Sequence, residues 1–192
     1  MNSASEPASI VRRLHLVARA GKVDSIKQAL AMGADVNALC ENDNSALTMA
    51  ISGGHLLACK YLIEQKADVN HPDVFGHGPL QHACNDADSS GEIVKLLLDS
   101  KANIDACSKN GLTPMLSAVT SQSAKLVKLL LEHKADARKT TSYADGTLRL
   151  SALEIAVATQ SHEIVALLGG KRCTTSDLRD GGAHPLDAEV AK

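Results

Sequence analysis

Aromatic residues are nearly absent from this sequence of 192 residues, which has two tyrosines, one phenylalanine and no tryptophan. Proteins that hold single-stranded nucleic acids stack the bases on exposed aromatic rings. A surplus of positive charge is also lacking, because 20 Lys and Arg oppose 22 Asp and Glu, for a formal net charge of −2. General nucleic-acid binding needs a basic surface that displaces counterions. The composition therefore predicts no nucleic-acid partner.

Long apolar runs are missing too. No segment approaches the roughly 18 to 20 consecutive apolar residues that cross a bilayer. Residues 1–9 are polar and lack a basic start followed by an apolar stretch, so we expect no secretory signal and no membrane association. The five cysteines are odd in number and form no CxxC pair. This favours reduced thiols in the cytoplasm, with the nucleus as the alternative.

Common catalytic and cofactor motifs are not found. The sequence contains neither a GxGxxG nor a GxxxxGK(S/T) phosphate loop. Cys40 and Cys107 have no neighbouring base in sequence that would lower a thiol pKa, so neither is expected to act as a nucleophile. We therefore expect no enzyme, no catalytic residue and no cofactor.

What the sequence does contain is a repeated pattern. GADVN at Gly33–Asn37 returns as KADVN at Lys66–Asn70, KANID at Lys101–Asp105 and KADAR at Lys134–Arg138, in steps of 33, 35 and 33 residues. An apolar residue that opens a helix recurs at five places, Leu14, Leu47, Leu80, Met115 and Leu153. The chain therefore has five similar units, with extra residues at 86–90 and within 139–150.

Each unit is predicted to form two short helices and a turn. In the fourth unit, Thr113 suits the N-cap and Pro114 the first helical position, and a second apolar helix follows from Leu126. Gly76 and Gly111 precede the next helix by a few residues, where a tight turn needs a positive φ. Helices this short bury too little surface within one unit, so the units must stack.

The pattern resembles the ankyrin repeat family, with Thr113–Ala118 (TPMLSA) matching the family's helix start and Gly33–Ala38 its ending. The resemblance implies an all-α solenoid of paired antiparallel helices with projecting hairpin-like fingers. We expect a disordered tail at 1–8, a repeat domain at 9–171 with units at 9–37, 38–70, 71–105, 106–138 and 139–171, and a second tail at 172–192 that forms at most a partial cap. Lysine replaces the helix-ending glycine in three units, and we predict positive φ at Gly33, Lys66, Lys101 and Lys134.

The histidines have two interpretations. The resemblance gives His15 and His55 structural roles within the family's motif. His71, His77 and His82 cluster with Asp73 in one finger and helix, but their spacing, HxxxxxHxxxxH, matches no metal-binding pattern. We expect no metal ion at these residues.

Binding of a protein or peptide is the function that the resemblance implies, through a concave groove formed by finger tips and the ends of first helices. The predicted partner-binding residues are Leu39, Asn42, Asn44, Val74, Phe75, His77, Lys109, Asn110, Leu112 and Tyr143 in the fingers, and Arg19, Ser52, Asn85, Asp86 and Thr120 in the helices. Phe75 is either an exposed anchor for a partner or a ring folded back on the neighbouring finger.

The enlarged finger at 139–149 carries Lys139, Tyr143 and Arg149 against one acid, Asp145, beside Arg138. This finger either binds an acidic segment of a partner or is a solvated loop. We expect a chain that is monomeric on its own and acts as an adaptor, scaffold or stoichiometric inhibitor. The alternative is a regulatory subunit or delivered effector that steers a partner enzyme.

Overall fold

A computed structural model describes residues 6–40, 42–85, 91–143 and 148–169, with the backbone alone at 6–8, 142–143 and 148. Within these ranges the chain forms ten α-helices and one two-stranded sheet. The elements are α1 (Glu6–Arg19), α2 (Val23–Ala31), α3 (Ala46–Ser52), α4 (Leu56–Glu64), α5 (Pro79–Asn85), α6 (Gly91–Asp99), α7 (Pro114–Thr120), α8 (Ala124–Glu132), β1 (Thr140–Tyr143), β2 (Leu148–Ser151), α9 (Ala152–Ala158) and α10 (His162–Leu167).

Local sequence signals start the short first helix of each unit. Thr113 caps α7 by accepting a hydrogen bond from the Leu116 N–H, and Pro114 occupies the first turn. Ser151 caps α9 in a capping box with Glu154. A helix of seven residues is only about 10 Å long and is marginal by itself, so tertiary packing must hold it.

The helices pack in two rows. The first helices of the units, α1, α3, α5, α7 and α9, contact each other in that order, and so do the second helices, α2, α4, α6, α8 and α10. We call these the first-helix row and the second-helix row. The five repeated apolar residues take equivalent places in the first-helix row: Leu14, Leu47, Leu80 and Met115 are at most 2% exposed, and Leu153 is half-buried in the last unit. The predicted all-α solenoid is thereby confirmed.

The backbone confirms the predicted register. Gly33, Lys66, Lys101 and Lys134 have φ values of 92°, 70°, 69° and 66°. A left-handed conformation costs a residue with a Cβ atom about 1 kcal/mol or more relative to glycine. The three units that end at lysine therefore tolerate this strain and end their second helix in the same way as the first unit.

An asparagine ladder joins successive units. The Asn37 side chain accepts a hydrogen bond from the Asp68 N–H (2.8 Å) and donates one to the Lys66 carbonyl (3.3 Å). Asn70 repeats both bonds one unit later, with the Asn103 N–H (2.7 Å) and the Lys101 carbonyl (3.4 Å). At the next junction Asp105 stands in this place. It accepts from the Asp136 N–H (3.0 Å), but its carboxylate has no N–H to donate.

The enlarged finger differs from the other fingers. Its strands β1 and β2 pair antiparallel, with Thr140 opposite Ser151 and Tyr143 opposite Leu148. Thr140, Thr141 and Tyr143 are β-branched or aromatic, and the extra residues give the finger enough length to pair. Residues 144–147, including Asp145, lie outside the described residues.

The first helix begins earlier than predicted. Helix α1 starts at Glu6, inside the segment 1–8 that the sequence analysis assigned to a tail. Pro7 falls in its first turn, where a missing N–H leaves no helical bond unmade. The insertion at 86–90 and the segment 172–192 lie outside the described residues.

Candidate partner-binding surface

Four connections between units form the fingers, at residues 38–45, 71–78, 106–113 and 139–151, numbered one to four. Fingers two and three contain the same tight turn. In finger two the Asp73 N–H bonds to the His77 carbonyl (2.9 Å), and in finger three the Ser108 N–H bonds to the Leu112 carbonyl (2.9 Å). Gly76 and Gly111 occupy equivalent places with φ of 84° and 75°, so the predicted turn glycines are confirmed.

Neighbouring fingers are bonded tip to tip. The Val74 N–H donates to the Asn42 carbonyl (3.4 Å), and the Lys109 N–H donates to the Phe75 carbonyl (3.1 Å). The Thr141 hydroxyl donates to the Asn110 carbonyl (2.9 Å). The four fingers therefore form one continuous edge.

Side chains of the first helices tie that edge to the first-helix row. His15 in α1 lies with Nε2 3.1 Å from the Asn44 carbonyl of finger one, and Gln81 in α5 donates to the Leu112 carbonyl of finger three. His55, which caps α4 in the second-helix row, lies with Nε2 3.0 Å from the Arg19 carbonyl at the end of α1. These contacts confirm the structural roles expected for His15 and His55. Gln81 has the same role, which the sequence analysis missed because it sought histidine at that place.

The predicted helix positions are the last residues of successive first helices. Arg19, Ser52, Asn85 and Thr120 end α1, α3, α5 and α7, and all four are exposed. Each of α3, α5 and α7 is about 10 Å long, so these residues form a second line roughly parallel to the finger edge. Asp86 lies outside the described residues.

The finger residues divide by exposure. Leu39, Asn42, Phe75, Lys109 and Asn110 are exposed, while Asn44, Val74, His77 and Leu112 are half-buried in the turns. Tyr143 lies in β1, and its side chain is outside the described part.

Phe75 is 64% exposed, and its ring centroid lies 6.1 Å from that of His77. The ring therefore stands at the surface of its own finger. This exposure favours an anchor for a partner over a ring folded back on the neighbouring finger.

The basic residues in finger four and beside it are partly engaged within the chain. The Lys139 ammonium group donates to the Asp105 carbonyl (2.9 Å), and the Arg138 Nε lies 3.4 Å from the Asp136 carboxylate. Hydrogen bonds from the Arg138 backbone and side chain hold the Asp136 pKa below its ordinary value. Arg149 is exposed. Finger four thus presents fewer free cations than the sequence suggested.

One side-chain cluster lies beside Phe75. The Asp73 carboxylate places Oδ2 3.1 Å from His82 Nε2 and 3.6 Å from His77 Nδ1. One ligand atom from each of the three residues lies within 4.8 Å of the others. His71, grouped with them in the sequence analysis, is not part of this set.

The environment keeps Asp73 charged and His82 neutral near pH 7. Burial acts to raise the Asp73 pKa, but the combined hydrogen bonds from the His77 and Phe75 N–H groups and the two imidazoles lower it below its ordinary value. Burial lowers the His82 pKa, and the attraction of Asp73 only partly opposes this. The cluster thus offers an anionic oxygen beside a neutral imidazole.

The four cysteines within the described residues differ in burial. Cys59 and Cys84 are fully buried, as predicted, and burial raises the pKa of each to about 12. Cys107 is exposed and Cys40 half-buried. At neutral pH the two buried thiols are protonated, so they serve as packing residues rather than nucleophiles.

The second-helix row carries an open depression of about 320 Å³ between α6 and α8. It is lined by Gly91, Glu92, Lys95, Lys125, Lys128, Leu129 and Glu132. The charged side chains of this lining are all exposed. None of the helices in the described ranges is long and apolar enough to span a bilayer.

Comparisons with known proteins agree with the repeat architecture. The chain matches a family model of ankyrin repeats (3 copies) over residues 14–106 and 81–177. It is 44% identical over 97 residues to the ankyrin repeat domain-containing protein 37 of Bos taurus, covering 48% of this chain and 58% of that protein.

In two further relatives the match covers a smaller share of the relative's own length. The Arf-GAP with coiled-coil, ANK repeat and PH domain-containing protein 2 of Rattus norvegicus is 48% identical over 58 residues, covering 29% of this chain and 8% of that protein. The ankyrin repeat and SAM domain-containing protein 6 of Danio rerio is 26% identical over 161 residues, covering 66% of this chain and 22% of that protein. The chain thus spans 58% or less of the length of these relatives.

Proposed function

The chain belongs to the ankyrin repeat family, and on that premise we propose that it is a non-enzymatic module that binds a protein partner along its fingers and first-helix row. Ankyrin repeats are generally protein–protein interaction modules. The observation that carries the proposal is Phe75, an aromatic side chain 64% exposed at the middle of a continuous finger edge.

The fingers offer a surface suited to a protein rather than to a small molecule. Their tips are joined by hydrogen bonds from backbone N–H groups and from the Thr141 hydroxyl, so the edge is pre-organised. The exposed helix ends run beside it: Arg19, Ser52, Asn85 and Thr120. A partner that contacts both lines would cover several units, which suits the usual size of protein interfaces. Leu39, 38% exposed in finger one, extends the apolar part of the edge.

Adaptor, scaffold and stoichiometric inhibitor remain the roles that we propose for such a module. All three require the chain to occupy a partner's surface without chemistry of its own. The small polar side chains of Ser52, Asn85 and Thr120 leave room for bulky partner side chains between them.

Substitution of Phe75 by Ala tests the proposal. If Phe75 is an interface anchor, its loss should weaken partner binding by about 2 kcal/mol, roughly thirtyfold in Kd, while the stability of the free chain changes little. Affinity capture with the wild-type chain, followed by quantitative mass spectrometry, should give proteins whose recovery falls with Phe75→Ala.

Leu57→Ala is the matched control, because Leu57 is 72% exposed on α4 in the second-helix row. Recovery of the same proteins should be unchanged with that variant. Partners that bind both variants as well as the wild type would place the interface elsewhere.

A further inference from the structure

The Asp73, His77 and His82 cluster joins two elements of the third unit. Asp73 and His77 begin and end the turn of finger two, and His82 lies in α5. The side chains of His77 and His82 are 31% and 25% exposed, whereas that of Asp73 is 6% exposed. The cluster is thus accessible from one side and anchored from the other.

The donor set is the kind that zinc prefers. Zn²⁺ binds imidazole nitrogens and carboxylate oxygens at about 2.0 to 2.2 Å, so neighbouring ligand atoms of a tetrahedral site lie roughly 3.3 to 3.5 Å apart. The distances from Asp73 Oδ2 to His82 Nε2 (3.1 Å) and to His77 Nδ1 (3.6 Å) bracket that value. The two imidazole nitrogens lie within 4.8 Å of each other, so the rings would turn toward each other when all three atoms bind one ion.

The carboxylate is held in the way that metal-binding carboxylates usually are. Asp73 Oδ1 accepts hydrogen bonds from the Phe75 N–H (2.9 Å) and the His77 N–H (2.8 Å), which fixes the group in the turn. Its other oxygen is the one that points to the two imidazoles. Such supporting hydrogen bonds orient ligands and strengthen metal sites.

We propose that Asp73, His77 and His82 bind a Zn²⁺ ion, with water completing the coordination. Nitrogen ligands argue against Mg²⁺ and Ca²⁺, which prefer oxygen alone. A bound ion would link finger two to α5 and so hold the finger that carries Phe75. The sequence analysis expected no metal here, because the spacing of the histidines matched no motif and His71 was counted among them.

Metal binding by the full chain tests this inference. Chelator-treated protein is titrated with ZnCl₂ by calorimetry and with CoCl₂ by visible absorption, which reports tetrahedral coordination. We expect saturable binding of one ion with the highest affinity, and at least about tenfold weaker binding in His77→Ala, His82→Ala and Asp73→Asn. Zn²⁺ should raise the Tm of the wild type more than that of these variants.

His71→Ala is the matched control, because it removes a histidine of the same finger that lies outside the cluster. Asp73→Asn should preserve the fold, because its amide oxygen can still accept the two backbone hydrogen bonds. The Tm of each variant without metal shows whether it is folded. The inference is overturned if the wild type binds no ion, if the three ligand variants bind as tightly as the wild type, or if His71→Ala weakens binding equally. A negative result leaves the proposed partner surface untouched, because Phe75→Ala probes it separately.

Discussion

Single residues carry the local strain that the repeat requires. Lys66, Lys101 and Lys134 adopt the left-handed conformation in which Gly33 ends the second helix of the first unit. Their side chains are exposed, so no packing interaction compensates the strain at these positions. The geometry is imposed by the way each unit must turn into the next, and it overrides the preference of the residue.

Burial separates the reactive from the unreactive thiols, which gives a prediction at the residue scale. Because burial raises the pKa of Cys59 and Cys84 from 9.0 to about 12, each has about a thousandth of the thiolate of an ordinary thiol at neutral pH. Iodoacetamide should therefore modify Cys107 in the native protein while Cys59 and Cys84 stay unmodified until urea unfolds the chain, as peptide mapping would show. Equal labelling rates at all three would contradict the packing described above.

The same thiols predict alkaline destabilisation. The unfolded chain releases these protons near pH 9.0, whereas the folded chain holds them until about pH 12. The free energy of unfolding should then fall as pH rises through that window. In the double variant Cys59→Ala, Cys84→Ala the fall measured by urea unfolding should be shallower, because the two thiols no longer contribute to it.

Among the elements, the junctions between units differ in one hydrogen bond. The side chains of Asn37 and Asn70 each accept one hydrogen bond from the next unit and donate another to it. Asp105, at the third junction, only accepts one. A carboxylate has no N–H to donate to a carbonyl, as the amides of Asn37 and Asn70 do. The junction between the third and fourth units therefore lacks one side-chain hydrogen bond that the two earlier junctions have.

Asp105→Asn should restore the missing hydrogen bond at this junction. The new amide N–H can reach the Lys134 carbonyl as Asn70 reaches that of Lys101, and we expect a gain of about 1 kcal/mol in the free energy of unfolding. The reverse change, Asn70→Asp, should lower it by a similar amount, measured by urea unfolding under identical conditions. Changes of the same sign in both variants would show that the ladder does not set the strength of the junctions.

For the molecule as a whole, stability is shared between neighbours, because each unit contacts the unit before it and the unit after it. Helix α10 contacts α8 and α9, and no further helix covers its other side within the described residues. Leu153 is correspondingly less buried than Leu14, Leu47, Leu80 or Met115.

Hydrogen exchange should show this gradient. We expect the backbone amides of α10 to exchange at least about tenfold faster than those of α8, because opening the last unit breaks one interface and opening an internal unit breaks two. Mass spectrometry of peptides from α8 and α10 measures the difference directly. Protection of α10 equal to that of α8 would mean that the chain unfolds as one cooperative block.

The sequence by itself determined the units, their register and their helices, because these depend on local signals that repeat about every 33 residues. A cap such as Thr113, a turn glycine such as Gly76 and a buried position such as Leu80 each act within a few residues of their own place. The same periodicity located the exposed helix ends, since equivalent positions in stacked units form a line.

Only the tertiary structure decided which side chains meet. His82 is nine residues from Asp73 in sequence, and the turn at Gly76 and the start of α5 bring it within 3.1 Å, while His71, closer in sequence, is left out. The tip-to-tip bonds of the fingers also depend on how neighbouring units stack. Contacts of this kind depend on the combined geometry of several elements. The spacing of residues along the sequence does not show that geometry.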